Sequence, residues 1–144
     1  MTRKLSLLYV LVCLVFAFGC SSDKVSLSGK VTFSDDGSPV PTGNVLFETA
    51  TSVSQGEIKP DGTYVVGTDT LTDGIPKGTY RVSVFAEETT TVESKPEREG
   101  DAPRTTTLRK KLIDSKYNNP DTSELTFTVD GKTKKFDIEV DRAK

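Results

Sequence analysis

Twenty-one carboxylates, two thiols and no imidazole set the chemistry this 144-residue chain can attempt. A Ser-His-Asp or Cys-His nucleophile pair needs a histidine, and so does an imidazole-bound zinc. Two cysteines, Cys13 and Cys20, are too few for a four-thiolate zinc or iron-sulfur centre. Paired acids remain. Asp35-Asp36 and Glu87-Glu88 are adjacent carboxylates, and a glycosidase works with two. Both pairs sit in turn or loop sequence, and the chain has no tryptophan to serve as a sugar platform. Asp35, Asp36, Asp69 and Asp73 are hard oxygen donors of the kind calcium takes, yet they lack the spacing of an EF-hand loop. Turn aspartates satisfy nearby main-chain N–H groups, which is the reading adopted for all four. The expectation is therefore a non-enzymatic chain with no catalytic residue, no metal and no cofactor. A net charge of -2 and only a short basic stretch at 133–135 argue against nucleic acid as a partner.

The remaining reactive group is the Cys20 thiol, and its setting is distinctive. Arg3 and Lys4 are the only charges in residues 1–19, and Leu5 to Gly19 is apolar apart from Ser6. As a helix that run would be about 22 Å long, short of the roughly 30 Å hydrocarbon core. A basic start, a short apolar stretch and a small residue at the boundary read as a cleaved secretory signal peptide. An uncleaved anchor helix is the competing reading of the same run.

Ala17-Phe18-Gly19-Cys20-Ser21-Ser22 resembles the lipobox of bacterial lipoproteins. The resemblance implies cleavage before Cys20, lipidation of its sulfur and acylation of the new amino terminus, with residues 20–24 as the lipidated tether. Each acyl methylene buried in the bilayer contributes about 0.8 kcal/mol, so several chains hold firmly. Ser21 implies sorting to the outer membrane, facing the periplasm, where the host is Gram-negative. Cys13 follows the bulky Val12 and leaves with the signal peptide, so Cys20 would be the sole thiol of the mature chain.

Cleavage leaves 125 residues with 17 cations against 21 acids, a net charge of -4. Apolar residues fall to 28% of that chain, enough for a two-layer sandwich in which half of each strand faces water. Nineteen threonines follow residue 19, and threonine suits a pleated surface better than a helix.

Alternation with period two runs through the chain. Val25, Leu27, Gly29, Val31 and Phe33 share one face of a first strand, and Val45, Phe47 and Thr49 continue on a second. Val53 to Lys59 predicts a third, with a bulge at Gly56 where its phase slips. Tyr64 and Val66 mark a fourth, and Tyr80, Val82, Val84 and Ala86 a fifth. Leu125, Phe127 and Val129, then Asp130-Gly131, then Phe136, Ile138 and Val140 predict a closing hairpin on a two-residue turn. The expected fold is all-β: a single seven-stranded antiparallel Greek-key sandwich over 25–140. The triplet Gly-Thr-Tyr occurs at 62–64 and 78–80, each where a turn enters a strand. Each tyrosine can place its ring in the core and its hydroxyl on a loop carbonyl, as in a tyrosine corner.

Ser28-Gly29-Lys30-Val31-Thr32-Phe33 with Gly37 to Val45, the segment Gly56 to Tyr64, and Ile75 to Val84 are similar to carboxypeptidase-regulatory-like domains. Leu112 to Tyr117 and Ser123 to Thr126 resemble small bacterial lipoproteins built from one such domain. The resemblance implies a transthyretin-like, Ig-like sandwich in the cell envelope and no catalytic residues.

Residues 87–116 break the strand rhythm and read as one long polar loop. Six acids lie between Glu87 and Asp101, and Arg104, Arg109, Lys110, Lys111 and Lys116 follow. The segment is either a solvated loop or a hairpin extension that brings Glu87 and Glu88 near Lys111 and Lys110. Together these readings imply a lipid-anchored, non-catalytic envelope module. It would touch the membrane through its N-terminal lipid and bind an envelope protein or glycan through loops or a sheet edge. A structural lipoprotein with no ligand of its own is the alternative, and a carboxylate-based hydrolase a third.

Overall fold

The computed structural model describes residues 23–94 and 104–144. It is all-β, with no α-helix among the described residues. The strands are β1 (Lys24–Val25), β2 (Ser28–Phe33), β3 (Gly43–Glu48), β4 (Val53–Ile58), β5 (Thr63–Val65) and β6 (Ile75–Pro76). They continue as β7 (Gly78–Phe85), β8 (Glu87–Ser94), β9 (Arg104–Lys111), β10 (Leu125–Val129) and β11 (Ile138–Val140). One sheet has four strands in the order β10-β7-β3-β4, another three in the order β11-β2-β5. β1 pairs with β6 and β8 with β9 as separate two-stranded sheets.

Period-two alternation supplies the core. Val31 and Phe33 of β2, Val45 and Phe47 of β3, Tyr64, and Tyr80, Val82 and Val84 of β7 are all buried. Phe47 is central: its ring lies 6.3 Å from those of Tyr64 and Tyr80, 6.2 Å from Phe136 and 6.5 Å from Phe127. Residues of the four-stranded and three-stranded sheets thus share one apolar layer. Both repeated triplets do the same job. The Tyr80 hydroxyl donates to the Pro76 carbonyl at 2.9 Å, and the Tyr64 hydroxyl donates to the distant Phe136 carbonyl at 2.5 Å. Gly62 takes a φ of +82° at the turn into β5, a conformation that disfavours a side chain.

The sequence-based expectations need four corrections. First, β4 has no bulge at Gly56; its ladder to β3 runs unbroken from Gly43↔Ile58 to Glu48↔Val53. Val53 simply faces solvent, while Ser54, Gly56 and Ile58 face inward. Glycine is needed there because a Cβ would meet the Val65 carbonyl at 2.8 Å and the Tyr64 ring at 3.0 Å. Second, β10 and β11 do not form a hairpin. β10 pairs with β7, and β11 joins the other sheet. The Asp130 carboxylate accepts from the Lys132 and Thr133 amides, which bends the chain away from a two-residue return. Phe127 and Phe136 still meet, stacked at 4.4 Å, but through side chains rather than a shared ladder.

Third, the all-antiparallel expectation fails at β11, which runs parallel to β2 in the register Ile138↔Val31 to Val140↔Phe33. The crossover before it lies against β2: Ser28 N donates to Lys134 O at 3.1 Å, and Phe136 N donates to Ser28 O at 2.9 Å. Gly29 makes that approach possible, since a Cβ there would fall 1.8 Å from the Phe136 carbonyl oxygen. Fourth, 87–116 is not one polar loop. It holds β8, β9 and the start of a 3-10 turn (Ser115–Asn118), and Ile113 and Tyr117 are buried in the core. Of the two readings of this segment, the structure has the hairpin, with Glu87 opposite Lys111 and Glu88 opposite Lys110.

Candidate interaction surface

The β8–β9 ribbon grows out of the four-stranded sheet. Tyr80, Val82, Val84 and Ala86 are buried at alternate positions, so β7 is held by the core along its length. Beyond Ala86 no opposing layer lies among the described residues, and Glu87 to Glu93 and Thr105 to Lys111 are exposed. Strand structure persists because threonine and valine favour extended backbone and because cross-strand partners match. Thr91 faces Thr107, Thr89 faces Arg109, and the two glutamates at the base face two lysines. A two-stranded ribbon is marginal alone. This one is rooted on both sides, by β7 before it and by the buried Ile113 after it, and Leu112 N donates to Ala86 O at 3.0 Å.

Among the described residues, β8 and β9 pair only with each other, so both outer edges of the ribbon are bare. The Leu112–Ala86 bond sets which groups point outward. It makes Glu87↔Lys111 a non-hydrogen-bonded pair, and the alternation of an antiparallel ladder follows from there. Main-chain groups of Thr105, Thr107, Arg109 and Lys111 therefore point away from β8, while those of Glu88, Thr90 and Val92 point toward β9. Val92 is 44% exposed and Leu108 56%, and they are diagonal neighbours on one face of the ribbon. Shallow clefts flank the base. One of about 510 Å³ is lined by Lys110, Lys111, Asp114, Ser115, Ala143 and Lys144. The other, about 350 Å³, is lined by Thr42, Gly43, Asn44, Glu57, Phe85 and Glu87. The ribbon thus rises between a basic and an acidic recess.

The four candidate aspartates lie elsewhere and are taken up by the protein's own cations. Lys24 Nζ lies 2.5 Å from carboxylate oxygens of both Asp69 and Asp73. The Lys24 hydrogen bond, then the Thr68 amide, hold the Asp73 carboxyl down at about 2. Arg142 bonds Asp35 through Nε at 2.7 Å and Asp36 through Nη2 at 2.8 Å, with its guanidinium 3.7 Å over the Phe33 ring. Asp36 sits at about 2, mainly because the Ser38 hydroxyl and amide donate to it. Glu87 and Glu88 are successive residues of one strand and so face opposite sides of the ribbon, a poor arrangement for acting together on one bond. Cys20, the lipidation candidate, and the 1–19 signal segment lie outside the described residues.

Sequence reasoning missed Lys24 and Arg142 as partners of these acids. It also missed Asp141, which accepts from Ser34, Lys116 and Tyr117 and is held at about 2, chiefly by Lys116. No local signal could have found them: Arg142 and Asp35 are 107 positions apart, and Lys24 and Asp73 are 49.

No protein-family model matches the chain, and no curated protein does. Among solved structures it is similar to a 9R-lipoxygenase from Cyanothece PCC8801, at 12% identity and a TM-score of 0.32. That likeness covers 81% of this chain and 16% of the lipoxygenase chain.

Proposed function

We propose that this chain is a lipid-anchored, non-catalytic module of the cell envelope, held to a membrane through Cys20 and binding a protein or glycan through its ribbon. The observation that carries the binding role is the β8–β9 ribbon itself, with two bare edges and with Val92 and Leu108 exposed on one face. Such an edge is a template for strand addition, in which main-chain hydrogen bonds provide affinity. Geometry adds support. The chain enters at β1, which pairs with β6 immediately before β7, while the ribbon leaves from the other end of β7. From Gly78 to Ser94 an extended chain spans about 50 Å at roughly 3.3 Å per residue. A domain tethered at Cys20 therefore carries its ribbon on the side remote from the anchor. The Greek-key, carboxypeptidase-regulatory-like sandwich belongs to the same proposal, supported by the four- and three-stranded sheets around Phe47. By the lipobox resemblance, Ser21 assigns the outer membrane in a Gram-negative host.

Two variants test the two halves separately. Cys20→Ala is expected to abolish membrane partition and the lipid mass that the wild type carries; a wild type without added lipid mass refutes the anchor. Replacing 89–109 by a short Asn-Gly turn keeps Glu87–Lys111 and closes on the hydrogen-bonded Glu88–Lys110 pair, as a two-residue turn requires, and removes the ribbon. Species that co-purify with the wild type from native membranes, identified by mass spectrometry, are expected to be lost. If the shortened protein retains the same species, the ribbon is not the binding element. If neither form retains any, the protein is a structural lipoprotein.

A further inference from the structure

The exposed edge of β9 has an unusual symmetry. Within β9 the run Thr105-Thr106-Thr107-Leu108-Arg109-Lys110-Lys111 sets three threonines and three cations about a central leucine. From this we infer that β9 pairs antiparallel with β9 of a second copy, about a two-fold axis at Leu108, giving a four-stranded β8-β9-β9-β8 sheet.

Three observations single out this register. The first is hydrogen-bond parity. The outward-pointing residues of β9 are Thr105, Thr107, Arg109 and Lys111, and a two-fold axis at Leu108 sets Thr105 opposite Lys111 and Thr107 opposite Arg109. Outward groups thus meet outward groups along the whole edge, as an antiparallel ladder requires. The second is charge. Each of Arg109, Lys110 and Lys111 faces a threonine of the second copy. Moving the axis to Arg109 sets two arginines face to face, and moving it to Thr107 parts the two leucines, each then facing a Thr106. Like charges directly opposite are destabilising. The corresponding pairing of two β8 edges, about Thr90, sets Glu87 opposite Glu93 and is disfavoured in the same way. The third is apolar surface. Leu108, 56% exposed, falls on its own copy as a closely spaced non-hydrogen-bonded pair, and Val92 follows diagonally on the same face. A stripe of Val92, Leu108, Leu108 and Val92 then runs across the four strands. A two-fold contact uses the same edge on both partners and closes, so it ends at a dimer instead of growing into a fibre.

An extended acidic chain is the other occupant that charge would favour for this edge, and salt separates the two. Self-pairing leaves the two Arg109 side chains as diagonal neighbours, so screening strengthens it, whereas an acidic partner is weakened by salt. The small contact area points to affinities in the roughly micromolar range. The inference rests on the ribbon being the interaction element proposed above. A monomer that still captures envelope species would overturn the pairing and leave that reading intact.

The test uses the full chain in mild detergent, followed by sedimentation velocity at roughly 10 to 100 μM. A dimer fraction that rises with protein concentration and with sodium chloride is expected for the wild type. Leu108→Lys, which sets two ammonium groups against each other at an already exposed site, is expected to stay monomeric with an unchanged Tm. In a Cys13→Ala, Cys20→Ala background, Leu108→Cys is expected to oxidise to a disulfide-linked dimer at least about tenfold faster than Thr106→Cys. Position 108 meets itself, while position 106 lies about 13 Å along the ladder from its own copy. A wild type that is monomeric throughout, a dimer that weakens with salt, or equal cross-linking at 106 and 108 would each overturn the proposal.

Discussion

Replacing Gly29 by alanine strikes at a close contact where the two ends of the chain meet. Gly29 has an ordinary extended backbone, so the cost is purely one of space. Its added Cβ would lie 1.8 Å from the Phe136 carbonyl oxygen and 2.8 Å from the Tyr64 hydroxyl. Carbon and oxygen rest about 3.3 Å apart, so the crossover must retreat by roughly 1.5 Å. Four hydrogen bonds span that gap. They are Phe136 N to Ser28 O at 2.9 Å, Ser28 N to Lys134 O at 3.1 Å, Lys30 N to Asp137 Oδ1 at 3.0 Å, and Tyr64 OH to Phe136 O at 2.5 Å. At about 1 kcal/mol net each, losing two to four costs about 2–4 kcal/mol. For a domain of this size that lowers Tm by roughly 8–16 °C. Gly37→Ala is the control: φ is +69° there but nothing lies within 4 Å of an added Cβ. Its cost is the left-handed backbone term alone, about 1–2 kcal/mol. Thermal unfolding followed by circular dichroism ranks the two, and amide exchange at Lys30 and Phe136 should quicken only in Gly29→Ala. If Gly29→Ala is no more destabilising than Gly37→Ala, the close packing of β2 against the crossover is refuted.

Tyr64→Phe removes the hydroxyl that caps the same carbonyl and is expected to cost about 1–2 kcal/mol in urea unfolding, less than Gly29→Ala; an unchanged midpoint would show that bond to be idle. Burial pushes the Tyr64 hydroxyl well above the ordinary phenol range and raises that of Tyr80 as well, so spectrophotometric titration should find Tyr64 resisting ionisation until the protein unfolds. Ser83 is fully buried and its hydroxyl has no partner among the described residues, so Ser83→Ala should leave stability unchanged or raise it by up to about 1 kcal/mol. A clear loss on differential scanning calorimetry would mean that the hydroxyl is bonded after all. Asp73 is held at about 2 against an ordinary 3.8. Its folded value is depressed, so its stabilising contribution is complete above about 3.8 and disappears as pH falls through about 2. Tm measured between pH 5 and pH 2 should drop less steeply in Asp73→Asn than in the wild type, and parallel curves would contradict the role given to Lys24.

Much of the fold is legible along the chain because alternation and turn chemistry are local. Val31, Phe33, Val45, Phe47, Tyr64, Tyr80, Val82 and Val84 alternate in sequence and are buried in the structure. The turn Pro60-Asp61-Gly62 rests on equally local chemistry: the Asp61 carboxylate accepts from the Thr63 amide and hydroxyl, and Gly62 takes a positive φ. The ribbon was half legible. Its charges suggested Glu87 and Glu88 near Lys111 and Lys110, but a threonine-rich acidic segment reads equally well as solvated loop until its pairing is seen. Gly56 shows the opposite error. An apolar phase slip suggested a bulge, whereas the strand is regular, Val53 is exposed, and the glycine answers to the Tyr64 ring packed against it.

The sequence by itself determined where the strands of the core fall and which side of each is apolar. It also carries the lipobox-like boundary at Cys20, which depends only on neighbouring residue types. Which sheet each strand joins was decided only in three dimensions. The Asp130-Gly131 signal is that of a hairpin, yet the return strand crosses to the other sheet and pairs parallel with β2. Two apolar faces can bury each other either as one ladder or as two stacked layers, and period two is the same in both. The choice rests on contacts such as Gly29 against Phe136 and Arg142 against Asp35, whose partners lie more than a hundred positions apart. Such contacts leave no periodic trace in the sequence, because each depends on shape and charge at a single place where the folded chain returns to itself.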